Sequence, residues 1–173
     1  MQPPPILPEE TLRRVLRLAR FDGMSVLIIA GAFGLLSAVA KDHPGAIVGM
    51  LVAGAGAVEL HGVALLRAAR AEGMNWLVGS QLFLMAAMLG YCAFRLTHVV
   101  IPPIPPNPSG LLKMLDTIVE MDAQQLGITK EECLRFVYRL SFQLIAAVTV
   151  VYQGSMSFYY LRRRAAVVAA LPE

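Results

Sequence analysis

Apolar residues run through this chain in four long blocks, about 21–40, 45–66, 74–96 and 136–161, separated by polar or proline-rich connections. Each block is close to the roughly 20 residues that a bilayer's hydrocarbon core requires. None contains proline. Lipid offers no partner to a free backbone N–H or C=O, and runs this long and uninterrupted do not suit barrel strands, so helix is predicted for all four. The expected fold is all-α: a polytopic integral membrane protein built as a four-helix transmembrane bundle.

Other periodicities surround the spans. In PEETLRRVLRLAR, Leu12, Val15, Leu16 and Ala19 form one helical stripe, while Arg13, Arg14, Arg17 and Arg20 fall mostly on the other side. That pattern predicts an N-terminal interfacial amphipathic helix within 1–20, its arginines facing anionic headgroups. The plainer reading is a helix that leads into the first span and fixes its orientation. Between the third and fourth spans, IPPIPPNPSG predicts an extended polyproline II spacer. Ser109 then caps a short amphipathic helix, about 109–125, that Gly127 stops. Thr129 and Glu132 have the spacing of a capping box, so a further helix should begin there and run unbroken into the fourth span. The short helix is expected to cover the bundle's outer mouth or to rest on the lipid surface.

Composition agrees with this class. Hydrophobic residues make up 57% of the 173 positions and charged residues 16%, with mean hydropathy +0.61, whereas about a quarter of a soluble domain is charged. The basic residues belong to span edges, so the net charge of +3 does not argue for nucleic acid. With the N-terminus inside, nine arginines (13, 14, 17, 20, 67, 70, 162, 163 and 164) lie on the cytoplasmic side, against Lys41, Arg95, Lys113, Lys130 and Arg135 outside. Both termini, including the tail at 165–173, are therefore expected in the cytoplasm, and the connection at 97–135 outside. A bacterial inner membrane is the expected location. A competing reading, a signal peptide cleaved after Ala40, meets an apolar run that is long for a signal core and a second span that begins almost at once.

Within the spans a few polar residues stand out. Glu59 and His61 are two positions apart, about 200 degrees on a helix, so they point away from each other and form no dyad. Glu59 instead shares a stripe with Gly45, Gly49, Val52, Gly56 and Val63, a small-residue face that lets another helix approach closely. Counting about 1.5 Å per residue, Glu59 lies about 5 Å to the cytoplasmic side of the midplane. Gln81, Tyr152 and Gln153 fall near the same level, with Ser25 somewhat deeper toward the cytoplasm. An intramembrane polar layer is expected. An ionised carboxylate there would cost on the order of 3 kcal/mol, so Glu59 should be protonated, hydrogen-bonded or open to water. It reads either as glue between helices or as part of a proton or cation pathway.

Second-tier candidates are weaker. His61 lies nearer the cytoplasmic edge and has no second axial ligand at matched depth, and Cys-x-x-Cys-His is absent, so no haem, other cofactor or metal is expected. Arg95 ends its helix and can snorkel to headgroups, while Arg139 shares a stripe with Gln143, Ala146, Val150 and Gly154 and is expected to face the bundle. Cys92 and Cys133 are candidates for a disulfide between the third and fourth spans in an oxidising compartment, the alternative being two buried free thiols. The stripe Gln81, Met85, Met88, Cys92, Arg95 reads as core packing rather than a copper path. Trp76, Tyr159 and Tyr160 read as interface anchors.

No P-loop, Rossmann glycine pattern, HExxH or GxSxG occurs. No pair of candidate acid, base or nucleophile shares both face and depth, so no catalysis is expected. The first functional expectation is a non-enzymatic membrane subunit that assembles with copies of itself or with a larger complex. The second is an oligomeric ion or proton channel or transporter that uses Glu59.

Overall fold

The computed structural model describes residues 7–99 and 110–172, which are helical apart from short connections. In chain order the elements are α1 (Pro8–Val39), α2 (His43–Arg67), α3 (Gly73–Thr97), α4 (Leu111–Leu126) and α5 (Lys130–Ala169). Four of them, α1, α2, α3 and α5, are long and apolar enough to cross a membrane. The chain is an all-α integral membrane protein.

The predicted N-terminal helix and first span are a single helix, because nothing between Glu9 and Val39 breaks it. Proline stands at its first turn, where no intrahelical N–H is needed. The predicted fourth span lies inside the 40-residue α5. The capping box forms as expected. The Thr129 N–H donates to Glu132 Oε2 at 3.0 Å, and the Glu132 N–H donates to Thr129 Oγ1 at 3.3 Å. Gly127 ends α4 in the left-handed region, φ 66°, and the Ile128 N–H closes onto the Ala123 carbonyl at 3.1 Å. The predicted polyproline segment at 101–109 and the Ser109 cap lie outside the described residues.

Two compact units are present, Met1–Tyr91 with Val148–Glu173, and Cys92–Ala147. In the second, Cys92, Ala123 and Cys133 are buried.

The first unit carries the polar residues of interest, and α1 and α2 pack at its centre. Their turn is short, with Asp42 Oδ1 accepting from the Gly45 N–H at 3.3 Å. The predicted stripe Gly45, Gly49, Val52, Gly56, Glu59, Val63 is buried throughout, and α1 is the helix it meets. A methyl added to Gly49 would lie 2.5 Å from the Gly34 Cα, and one on Gly56 would lie 2.7 Å from the Gly23 carbonyl oxygen. Only glycine lets these backbones come so close.

Two apolar clusters bracket a short stretch of α1, α2 and α3. One joins Val15, Ala19, Val63, Leu66, Met74, Leu77, Met156 and Tyr160 with Val167. The other joins Ala30, Val52, Ala53, Ala55 and Leu84. Asp22 lies between them on α1, Glu59 on α2 and Gln81 on α3, so the bundle buries one polar layer between two apolar ones.

Candidate functional site

Each helix of the first unit brings a polar side chain to this layer, and the helical period explains which ones. On α1, Asp22 is seven residues beyond Val15 and follows the buried positions Thr11, Val15 and Ala19. On α2, Glu59 follows Gly56 by three residues along the glycine face. On α3, Gln81 follows Leu77 by four and precedes Leu84 by three. On α5, Gln153, Met156, Ser157 and Tyr160 share the buried face.

Asp22 is 6% exposed, Glu59 1% and Gln81 0%. Asp22 accepts two hydrogen bonds, from Gln81 Nε2 to Oδ2 and from the Tyr152 hydroxyl to Oδ1, both at 2.9 Å. Glu59 Oε1 accepts from the Tyr160 hydroxyl, also at 2.9 Å. The two carboxyl groups lie close to one another, and Gln81 approaches Glu59 as well. Two carboxyl groups buried side by side repel each other when both are ionised, so the donors Gln81, Tyr152 and Tyr160 are what make their burial tolerable.

The layer also has spare polar capacity. Gln81 Oε1, Gln153 Oε1 and Ser157 Oγ are buried without a hydrogen-bond partner, an arrangement that costs each group about 1–3 kcal/mol when nothing answers it. Tyr152 is 47% exposed although its hydroxyl holds Asp22. Among the described residues of the network, it alone reaches from the pair to the outer face of the unit.

Of the predicted polar layer, Glu59, Gln81 and Gln153 are buried in it, and Tyr152 reaches it through its hydroxyl. Ser25 is half-buried and not part of the network. His61 is exposed, as are Gly54, Ala57 and Ala64 on its face, and it meets the Trp76 ring edge-on at 5.4 Å. Arg95 is half-buried. Arg139 does not face a core: it is exposed, as are Gln143 and Val150 on its stripe. Cys92 and Cys133 are buried, unbonded thiols. Among the described residues no group of three or more His, Cys, Asp or Glu side chains could hold a metal ion.

Two members of the network do not stand out in the sequence. Asp22 sits two residues after Arg20 at the edge of the first block, where an acidic residue ordinarily reads as a boundary. The signal was its register with Val15 and Ala19. Tyr160 reads as an interface anchor but is fully buried against Glu59. Its spacing from Gln153 and Met156, seven and four residues, marked the inward face. Tyr159 is the tyrosine at the periphery, its ring 5.9 Å from the Arg163 guanidinium.

Comparison with protein-family models, with curated proteins and with solved structures finds no match to this chain.

Proposed function

We propose that this protein moves protons across or within a membrane, with the Asp22–Glu59 pair as the group that takes up and releases them. The observation that supports this reading is two neighbouring buried carboxyl groups, each held by hydrogen bonds from other helices, inside a four-span bundle. A residue that serves only to lock helices together needs neither a second acid nor unanswered amide and hydroxyl oxygens. A proton site uses both, since it must offer hydrogen bonds to each protonation state. Tyr152, Tyr160 and Gln81 hold the acids in register. In this reading the N-terminal arginines of α1, the loop at 68–72 and the C-terminal end of α5 lie in the cytoplasm, following the positive-inside bias.

The test is flux in proteoliposomes under an imposed pH gradient. Glu59→Gln and Asp22→Asn should each abolish proton movement while leaving the protein folded, because an amide keeps a hydrogen bond but has no group that ionises near neutral pH. Full flux in both variants would sink the proposal.

A second reading, a non-enzymatic subunit that assembles with copies of itself or with other membrane chains, draws support from a different face. Gly54, Ala57 and Ala64 of α2 form an exposed small-residue strip, and among the described residues nothing comes within 4 Å of a methyl placed on Gly54. That reading expects Glu59→Gln to retain function and a bulky substitution at Gly54 to abolish it.

A further inference from the structure

A separate feature lies at the arginine-rich end of α1. A cavity of ≈ 530 Å³ opens between α1 and the last residue of α2, lined by Arg13, Arg17, Arg20 and Arg67 together with apolar side chains that include Phe21 and Met24. Arg13, Arg17 and Arg20 recur at intervals of four and three, so the helical period delivers three guanidinium groups to one side. Arg67 completes the set from α2. None of the four has a carboxylate partner among the described residues. Their neighbours behave differently: Arg14 pairs with Glu10 at 2.5 Å, and Arg70 with Glu72 at 2.6 Å.

Four unneutralised guanidinium groups around one cavity repel each other, and an anion between them relieves that repulsion. The apolar part of the lining says which kind of anion. Phe21 is 73% exposed and Met24 43%, and they begin the apolar stretch of α1 where the arginines end. A ligand filling this space must be anionic at one end and apolar at the other. We infer that the α1–α2 cavity is a binding site for an anionic phospholipid, its phosphate held by Arg13, Arg17, Arg20 and Arg67 and its acyl chains laid along Phe21 and Met24. Guanidinium groups bind phosphate oxygens in bidentate fashion, and four of them are better matched by two phosphodiesters than by one. Diphosphatidylglycerol is therefore expected to bind more tightly than phosphatidylglycerol, and both more tightly than phosphatidylcholine.

Native mass spectrometry of the detergent-purified protein, titrated with these three lipids and with glycerol phosphate, tests the inference without reference to proton movement. The Arg17→Gln, Arg67→Gln double variant should bind diphosphatidylglycerol on the order of 30-fold more weakly, at roughly fivefold per arginine removed. The Arg14→Gln, Arg70→Gln variant removes the same charge from outside the cavity and should bind as the natural protein does. Equal weakening in both variants, no weakening in either, or equal binding of phosphatidylcholine would overturn the site. Competition by glycerol phosphate at concentrations comparable to the lipid would make it a free-phosphate site and overturn the lipid assignment.

Discussion

The chemistry turns on where single side chains find their hydrogen bonds. Glu59 could be buried in an apolar bundle only with partners, and it has the Tyr160 hydroxyl, Gln81 and a second acid, Asp22. Replacing Tyr160 by Phe removes a donor from Glu59 Oε1 without opening a large cavity, so the cost is that of an unanswered buried acceptor, about 1–3 kcal/mol. Tyr159→Phe, one position along and off the buried face, should change stability by less than about 0.5 kcal/mol. Reversible unfolding of the two variants in mixed detergent micelles separates them. Equal stabilities would mean that the Tyr160 bond carries no weight. Asp22→Asn and Glu59→Gln should each leave the fold intact, since an amide can still accept from Tyr152 or Tyr160. On the proposed function, their effect is on proton flux.

At the level of whole helices, the α1–α2 pair depends on glycines that serve different purposes. Gly49 meets the α1 backbone, so Gly49→Ala must push two helices apart and should cost about 1–3 kcal/mol. Gly54→Ala, with nothing within 4 Å, should be neutral or stabilising, by up to about 1 kcal/mol from helix propensity. The same unfolding assay reads both, and comparable losses at the two positions would contradict the packing described. At the start of α5, the Thr129 backbone N–H, and then its hydroxyl, hold the Glu132 carboxyl below its ordinary value of 4.5. A depressed folded-state value contributes to helix capping above the ordinary carboxylate range, and that contribution is lost as pH falls through the lower folded value. The Thr129 amide resonance should therefore titrate with a midpoint below 4.5, and Glu132→Gln should abolish the transition. A midpoint at or above 4.5 would mean that the cap does not form.

For the molecule as a whole, hydropathy alone carried most of the architecture, because lipid forces apolar runs of this length to satisfy their own backbones as helices. The four spans, the glycine face of α2, the Gly127 stop and the Thr129–Glu132 cap were all legible as local patterns. The plainer reading of the N-terminal helix, that it leads into the first span, is what the single α1 shows, since the change from arginine-rich to apolar surface at Phe21 is a change of environment and not of backbone. Asp22 and Tyr160 were hidden for a related reason. Both residue types sit comfortably at a membrane boundary, and only the pairing of four helices in space shows that their side chains turn inward to Glu59 and Gln81. Arg139 erred the other way: a stripe of mixed residues on α5 suggested an inward face that proves to be exposed. The proposed topology, with both ends inside, predicts that single cysteines at position 70 and near position 168 are labelled by a membrane-impermeant thiol reagent only after the cell membrane is opened. Labelling of intact cells at those positions would reverse the orientation.

Infrared difference spectroscopy of the reconstituted protein across a pH step interrogates the carboxyl pair most directly, because a protonated carboxyl C=O absorbs apart from an ionised carboxylate. The expected result is a protonated-carboxyl band that changes across the pH step and is lost or shifted in both Asp22→Asn and Glu59→Gln. A spectrum that shows only ionised carboxylates throughout, or a band that responds to one substitution and ignores the other, would contradict a proton site built from Asp22 and Glu59.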